Sequence, residues 1–275
     1  MKFIGIDVDG RTVIAVVKGD RVAPVADAER FYSDPAHWAE VAESLEATQD
    51  RASVREVPAA WAGARVLCVG LNYKAHAAEG GFTPPEYPAI FGRWTRSLIC
   101  SGDSVPALDD RLDWEGELVA IVGTRLADAS PAEALEGVFG YAAFNDISAR
   151  TFQRHTHQWT PGKNMDRSGA MSDVVTADEV GDPGRGLKLE TRLNGDVMQS
   201  ATTADMIFGV GEILSYLSRI MTLYPGDIVV TGTPEGVGYA RNPPILMKPG
   251  DEIEVTIEGV GSVRNPIVPA SERAG

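Results

Sequence analysis

Glu115 and Glu117 stand one residue apart in the run Leu112-Asp113-Trp114-Glu115-Gly116-Glu117-Leu118-Val119-Ala120-Ile121-Val122-Gly123. The apolar tail from Leu118 to Val122 reads as a buried strand ending at Gly123. Side chains two apart on a strand point to one side, roughly 6.5–7 Å apart along the chain. Two carboxylates therefore share a face where the chain enters a core. Each raises the other's pKa, and the pair costs free energy unless something positive lies between them. A divalent cation answers that need. Asp146 ends another strand-like run, Val138 to Asn145, and is a third candidate ligand. Three carboxylates without nearby Cys or His form a hard-oxygen set, suited to Mg²⁺, Mn²⁺ or Ca²⁺ rather than zinc. A lone Glu-x-Glu would more simply be an exposed or Arg-paired strand edge; Asp146 tips the balance toward a metal.

Other residues could act beside such a site. His76 and Glu79 are three apart, so on a helix they share a face, and the carboxylate would orient the imidazole as a base. The competing reading is a surface pair worth a few tenths of a kcal/mol. Arg150, Gln153 and Lys163 offer positive charge and donors to an anion, and Lys163 is placed to stabilise a developing enolate. Its bland role would be a salt bridge to Asp166. Thr231 to Gly238 is a Gly/Pro loop after a strand, able to cradle a carboxylate. It lacks the Gly-Lys-Ser/Thr end of a P-loop. His155 and His157 lie in a polar, loop-like stretch and are read as solvated.

The elements that must position these groups are mostly strands. Lys2–Val8 and Thr12–Val17 flank a hairpin signal at Asp9-Gly10. Further runs are Val66–Val69, Leu118–Val122, Val138–Phe144, Lys188–Leu193, Asp227–Val230 and Glu252–Ile257. Helical spacing appears over Asp34–Leu45 and Phe208–Arg219. Glu46–Pro58 reads as a polar linker and Pro269–Gly275 as a frayed tail. The expectation is an α+β, β-rich protein, with a small N-terminal α+β module over residues 1–60 and a catalytic domain over 61–275.

The chain has 275 residues, 44% hydrophobic and 23% charged, the balance of an ordinary globular protein. Its net charge of −14 disfavours nucleic acid as a partner. An anionic substrate would need local cations to overcome that field. Cys68 and Cys100 are the only cysteines. With no disulfide framework, secretory leader or bilayer-length apolar run, a cytoplasmic protein without membrane contact is expected.

Taken together, the motifs resemble those of the fumarylacetoacetate hydrolase family over about Val66 to Val268. The pieces occur in the family's order. They are Gly70-Leu71-Asn72-Tyr73 with His76 and Glu79, Glu115-Gly116-Glu117, Asn145 to Arg150, Lys163 to Asp166, Asn194-Gly195 with Gln199, Pro225-Gly226-Asp227, and Thr231 to Gly238. The resemblance implies a rolled mixed sheet, a homodimer, and Mg²⁺ or Mn²⁺ held by Glu115, Glu117 and Asp146. It implies a His76–Glu79 dyad on a lid within Leu71–Thr95, Lys163 as a catalytic group, and Tyr73, Arg150, Gln153 and Thr231 as substrate contacts. The implied activity is hydrolysis of a C–C bond in a 2,4-diketo acid through an enolate that the metal stabilises. Oxaloacetate decarboxylation, isomerisation or hydration of unsaturated keto acids, and non-catalytic keto-acid binding are the alternatives. The chain departs from the family's usual residues at Thr151, at the pair Ser172-Asp173 and at Arg93. The first two are expected to reshape the pocket beside Lys163.

Overall fold

The computed structural model describes residues 1–79, 83 and 85–273. Strands dominate, as expected, and the fold is α+β. A thirteen-stranded mixed sheet runs through Gln49–Asp50, Arg21–Asp27, Arg11–Lys18, Lys2–Val8, Val174–Thr176, Val138–Asp146, Gly116–Val122, Ile228–Val230, Val66–Gly70 and Ala89–Arg93. Glu56–Val57, Gly169–Met171 and Leu98–Cys100 attach beside this path. A five-stranded sheet orders Asp196–Thr202, Lys188–Leu193, Glu252–Ile257, Gly261–Pro269 and Val105–Ala107. The hairpin signal is realised as a turn with both central residues left-handed, Asp9 and Gly10 at φ 52° and 78°; Asn194 and Gly195, at 52° and 89°, turn a second hairpin in the same way.

Lys2 and Phe3 pair with Val175 and Val174, so the N-terminal strands extend the large sheet. Phe3, Ile14 and Phe31 share one apolar cluster with Val119, Ile121 and Phe144. The polar stretch read as a linker is instead part of this sheet. Gln49–Asp50 pairs with Arg21–Asp27, and Glu56–Val57 pairs with Lys2–Val8. Its side chains are polar because these short strands lie at the margin, half-buried or exposed. The expected helices are Pro35–Ser44 and Val210–Ser218. Asp34 caps the first by accepting from His37 N at 3.2 Å.

Strand Gly116–Val122 is buried along its whole length. Val119 and Ile121 face the cluster shared with the N-terminal strands. Leu118, Ala120 and Val122 face Ile213, Leu214 and Leu217 of the helix. Both faces are covered, which explains the continuous apolar run. Gly116 points to the second face, where the five-stranded sheet comes close: a Cβ there would meet Thr191 Oγ1 at 2.3 Å. Glycine is what lets the two sheets meet behind the glutamates. Replacing Gly116 by Ala should therefore destabilise the protein by about 1–3 kcal/mol through overpacking. Urea unfolding with an unchanged midpoint would refute that close approach.

Candidate metal centre and active-site cavity

The antiparallel register pairs Gly116 with Asn145 and Glu117 with Phe144, and Asp146 N donates to Glu115 O at 2.9 Å. Glu115 and Asp146 are thus cross-strand neighbours, and Glu117 lies two residues along on the same face. One carboxylate oxygen from each of Glu115, Glu117 and Asp146 lies within 4.8 Å of the other two. All three residues are buried, at 7%, 1% and 0% exposure.

Cations hold two of these acids. Lys163 Nζ bridges Glu115 Oε2 and Asp146 Oδ2, each at 2.6 Å. Arg150 reaches Glu115 Oε1 at 2.6 Å, and its Nε donates to Asp113 Oδ2 at 2.9 Å. Arg93 Nε donates to Asp146 Oδ1 at 2.5 Å, with its other nitrogens on Ser97, Ser168 and Ile147 O. Among the described residues Glu117 has no such partner; it accepts from Gly232 N at 2.5 Å. Burial alone would raise Glu115, but Lys163 and Arg150 outweigh it and hold that carboxyl down at about 2. For Glu117 burial wins, and the charges of Asp146 and Glu115 push its pKa further up. Four buried carboxylates, counting Asp113, thus face three buried cations. The deficit of positive charge falls on Glu117, within the three-carboxylate set.

A cavity of about 370 Å³ opens beside this cluster, lined in part by His76, Glu79, Glu115, Arg150, Gln153 and Lys163. His76 and Glu79 share one side of helix Lys74–Glu79, with Nδ1 and Oε2 3.3 Å apart. Gly236 N donates to Glu79 Oε1 at 3.0 Å, so the dyad is tied to the loop after strand Ile228–Val230. Leu71, in the left-handed region at φ 57°, turns the chain between strand Val66–Gly70 and that helix. Residues 80–82 and 84 of the expected lid lie outside the described residues. Arg150 and Gln153 bond each other at 2.9 Å.

Two expected substrate contacts sit elsewhere. Thr231 Oγ1 donates to Leu118 O at 2.9 Å, and it is Thr233 that reaches the cavity wall. Tyr73 is buried behind the wall, and its hydroxyl has no hydrogen-bond partner among the described residues. Lys163 bonds the acids; Asp166, its alternative partner, pairs with Arg273. His155 and His157 are exposed.

The expectation for Ser172-Asp173 was wrong. Ser172 Oγ accepts from Ala143 N, and Asp173 pairs with Arg51 at 2.7 Å, beside the N-terminal strands rather than the cavity. Thr151 is exposed and absent from the wall; its N–H donates to Asp109 Oδ2 at 2.8 Å. Sequence reasoning missed Arg93 and Asp113 as parts of the cluster. It also missed Trp159 and Tyr239 in the cavity wall. Arg93 had left a signal, as a family position carrying an unusual cation.

The family model for the fumarylacetoacetate (FAA) hydrolase C-terminal domain matches residues 65–268. The chain belongs to the fumarylacetoacetate hydrolase family. It is 39% identical over 209 residues to the mitochondrial oxaloacetate tautomerase FAHD2A of Bos taurus, covering 74% of this chain and 66% of that protein. The chain thus spans just under two thirds of that relative's length. It is 33% identical to the oxaloacetate tautomerase YisK of Bacillus subtilis, over 96% of both chains. A Mycobacterium smegmatis structure, described only as an HpcE candidate, superposes with a TM-score of 0.90 at 34% identity, covering 98% of this chain and 100% of that one. The fumarylpyruvate hydrolase of Pseudomonas aeruginosa, solved with Mn²⁺ and pyruvate, gives 0.69 at 33% identity, covering 78% and 92%. Hydrolases, isomerases and tautomerases all occur among these proteins and their neighbours.

The acidic group here fits Mg²⁺ or Mn²⁺: three buried carboxylates, all hard oxygen donors, with one lacking a cation. Titration with Mn²⁺, read by calorimetry or paramagnetic resonance, should show one site per chain. Glu117→Ala should weaken it by about 100-fold or more. Because burial and the neighbouring acids favour the protonated form of Glu117, affinity should fall as pH is lowered. Affinity that does not fall on acidification would contradict the raised carboxyl.

Proposed function

We propose that this chain is a divalent-metal-dependent enzyme that hydrolyses a C–C bond in a 2,4-dioxo acid, releasing pyruvate. The observation that carries this reading is the His76–Glu79 pair facing the same cavity as Lys163 and Glu115. A base and a buried cationic cluster on one small cavity are what C–C hydrolysis needs. Glu115, Glu117 and Asp146 would hold the ion, which when bound supplies Lewis acidity toward the 2-keto oxygen.

The chain's own residues account for the proton movements. The Glu79 carboxylate favours the tautomer with hydrogen on His76 Nδ1, leaving Nε2 as the base. A water gives its proton to Nε2 while its oxygen bonds to the distal carbonyl carbon. The C–C bond to C3 then breaks, its electron pair passing into the pyruvate half as an enolate. Lys163 and Arg150 offset that negative charge, and the proton held on His76 returns to C3. Tyr73 and Thr231 serve this scheme by packing behind the wall, with Gln153 and Arg150 as its substrate-facing donors.

One observation favours a second reading. The B. subtilis relative aligned over nearly the whole chain is an oxaloacetate tautomerase. Keto–enol exchange needs only proton transfer at C3 and at the 2-oxygen, with no water attack and no broken C–C bond.

Two assays separate these. Pyruvate release from an acylpyruvate, abolished by EDTA and by His76→Ala, supports hydrolysis. Loss of oxaloacetate enol absorbance without pyruvate formation, and no acylpyruvate cleavage, would replace it with tautomerisation. Equal rates with and without chelator would sink both. Lys163→Ala should lower the rate by about 10²–10³, the loss of one donor aimed at developing charge.

A further inference from the structure

Arg154 differs from the other cations of the cavity wall. Arg150 and Lys163 are committed to Glu115, Asp113 and Asp146. Arg154 also lines the cavity, yet no carboxylate of the described residues pairs with it. Arg154 is exposed and lines the cavity, so its charge is open to an anion entering there.

Its placement is supported from two sides. The Arg154 guanidinium carbon lies 4.8 Å from the centre of the Tyr239 ring, and that of Arg150 lies 4.4 Å from the same ring. Tyr239 is itself held, because Gly238 N and Tyr239 N both donate to the buried Asp113 carboxylate, at 2.7 and 3.1 Å. The Arg150–Gln153 turn ahead of Arg154 packs so closely on Gly162 that a Cβ there would meet Gln153 at 2.5 Å. A series of contacts thus leads outward from Glu115 through Arg150 and Tyr239 to Arg154.

We propose that Arg154, braced on Tyr239, receives a second carboxylate at the far end of the substrate, so that the cavity selects dicarboxylic 2-oxo acids over those ending in a neutral group. This rests on the reading that the cavity takes a 2-oxo acid. The inner cluster handles the 2-oxo acid end, and Arg154 pairs with the distal charge through hydrogen bonds that a methyl or ester end cannot accept.

The test compares matched acids on the Mn²⁺-loaded enzyme: fumarylpyruvate, whose second carboxylate lies beyond the reacting carbonyl, against acetylpyruvate, which ends there in a methyl group. In Arg154→Gln the ratio of kcat/KM for the charged over the neutral-ended acid should fall roughly 5- to 30-fold, a charge-assisted hydrogen bond discounted for solvent. The loss should appear in KM rather than kcat, and Arg154→Lys should restore part of it. A ratio within twofold of wild type overturns the subsite. If the wild type turns over neither acid, the functional reading above fails instead. Calorimetry on the Mn²⁺-loaded protein then decides the subsite alone. Arg154→Gln must weaken fumarylpyruvate and not acetylpyruvate, and equal effects on both overturn it.

Discussion

Three carboxylates forced together out of water are the constraint around which this molecule is arranged. Removing an ion from water costs several kcal/mol even after relaxation, and like charges add to that cost. Glu115, Glu117 and Asp146 are tolerable only because other groups converge on them. Lys163, Arg150 and Arg93 offset the charge of two, and Gly232 N meets the third. The remaining deficit of positive charge makes a divalent cation the natural complement. The fit to a divalent cation thus follows from how paired strands bring these acids together.

The scaffold around this cluster is unusually committed. On the far side of the glutamate strand, Gln199 accepts from Gly116 N and Thr191 Oγ1 and donates to Thr233 and Pro234 O. Those four contacts join the two large sheets and the loop after Ile228–Val230. Asp113 similarly ties Arg150 to the loop carrying Tyr239. Both residues are buried and fully engaged, so they orient the site without facing it. The same loop reaches the dyad through Gly236. One short Gly/Pro segment therefore coordinates the acids, the base and the cavity wall.

Much of this was legible in the residues. Strands Lys2–Val8, Lys188–Leu193 and Glu252–Ile257 match their apolar patterning because alternation or full burial leaves a local trace. Short strands such as Leu98–Cys100 and Gly169–Met171 were not read, since three residues carry no periodicity. The supposed linker failed for a related reason: marginal strands are polar, and only their partners reveal them. Ser172-Asp173 was expected, as a departure from the family's usual residues, to reshape the pocket beside Lys163. Strand Gly169–Met171 instead carries the chain away from the cavity, toward Arg51.

The sequence by itself determined which chemistry was available: the Glu-Gly-Glu spacing, the acid at the end of a second strand, and the His/Glu pair at helical separation. These are local, because strand and helix periods dictate which side chains share a face. Only the tertiary structure decided how the charges balance. Antiparallel register set Glu115 beside Asp146, and Arg93, Arg150 and Lys163 arrived from three separate stretches of chain. Whether a buried carboxylate is paired depends on such long-range neighbours, and local spacing carries no record of them. That is why two of the three acids are paired with cations, while among the described residues Glu117 has no cation and Arg154 no carboxylate.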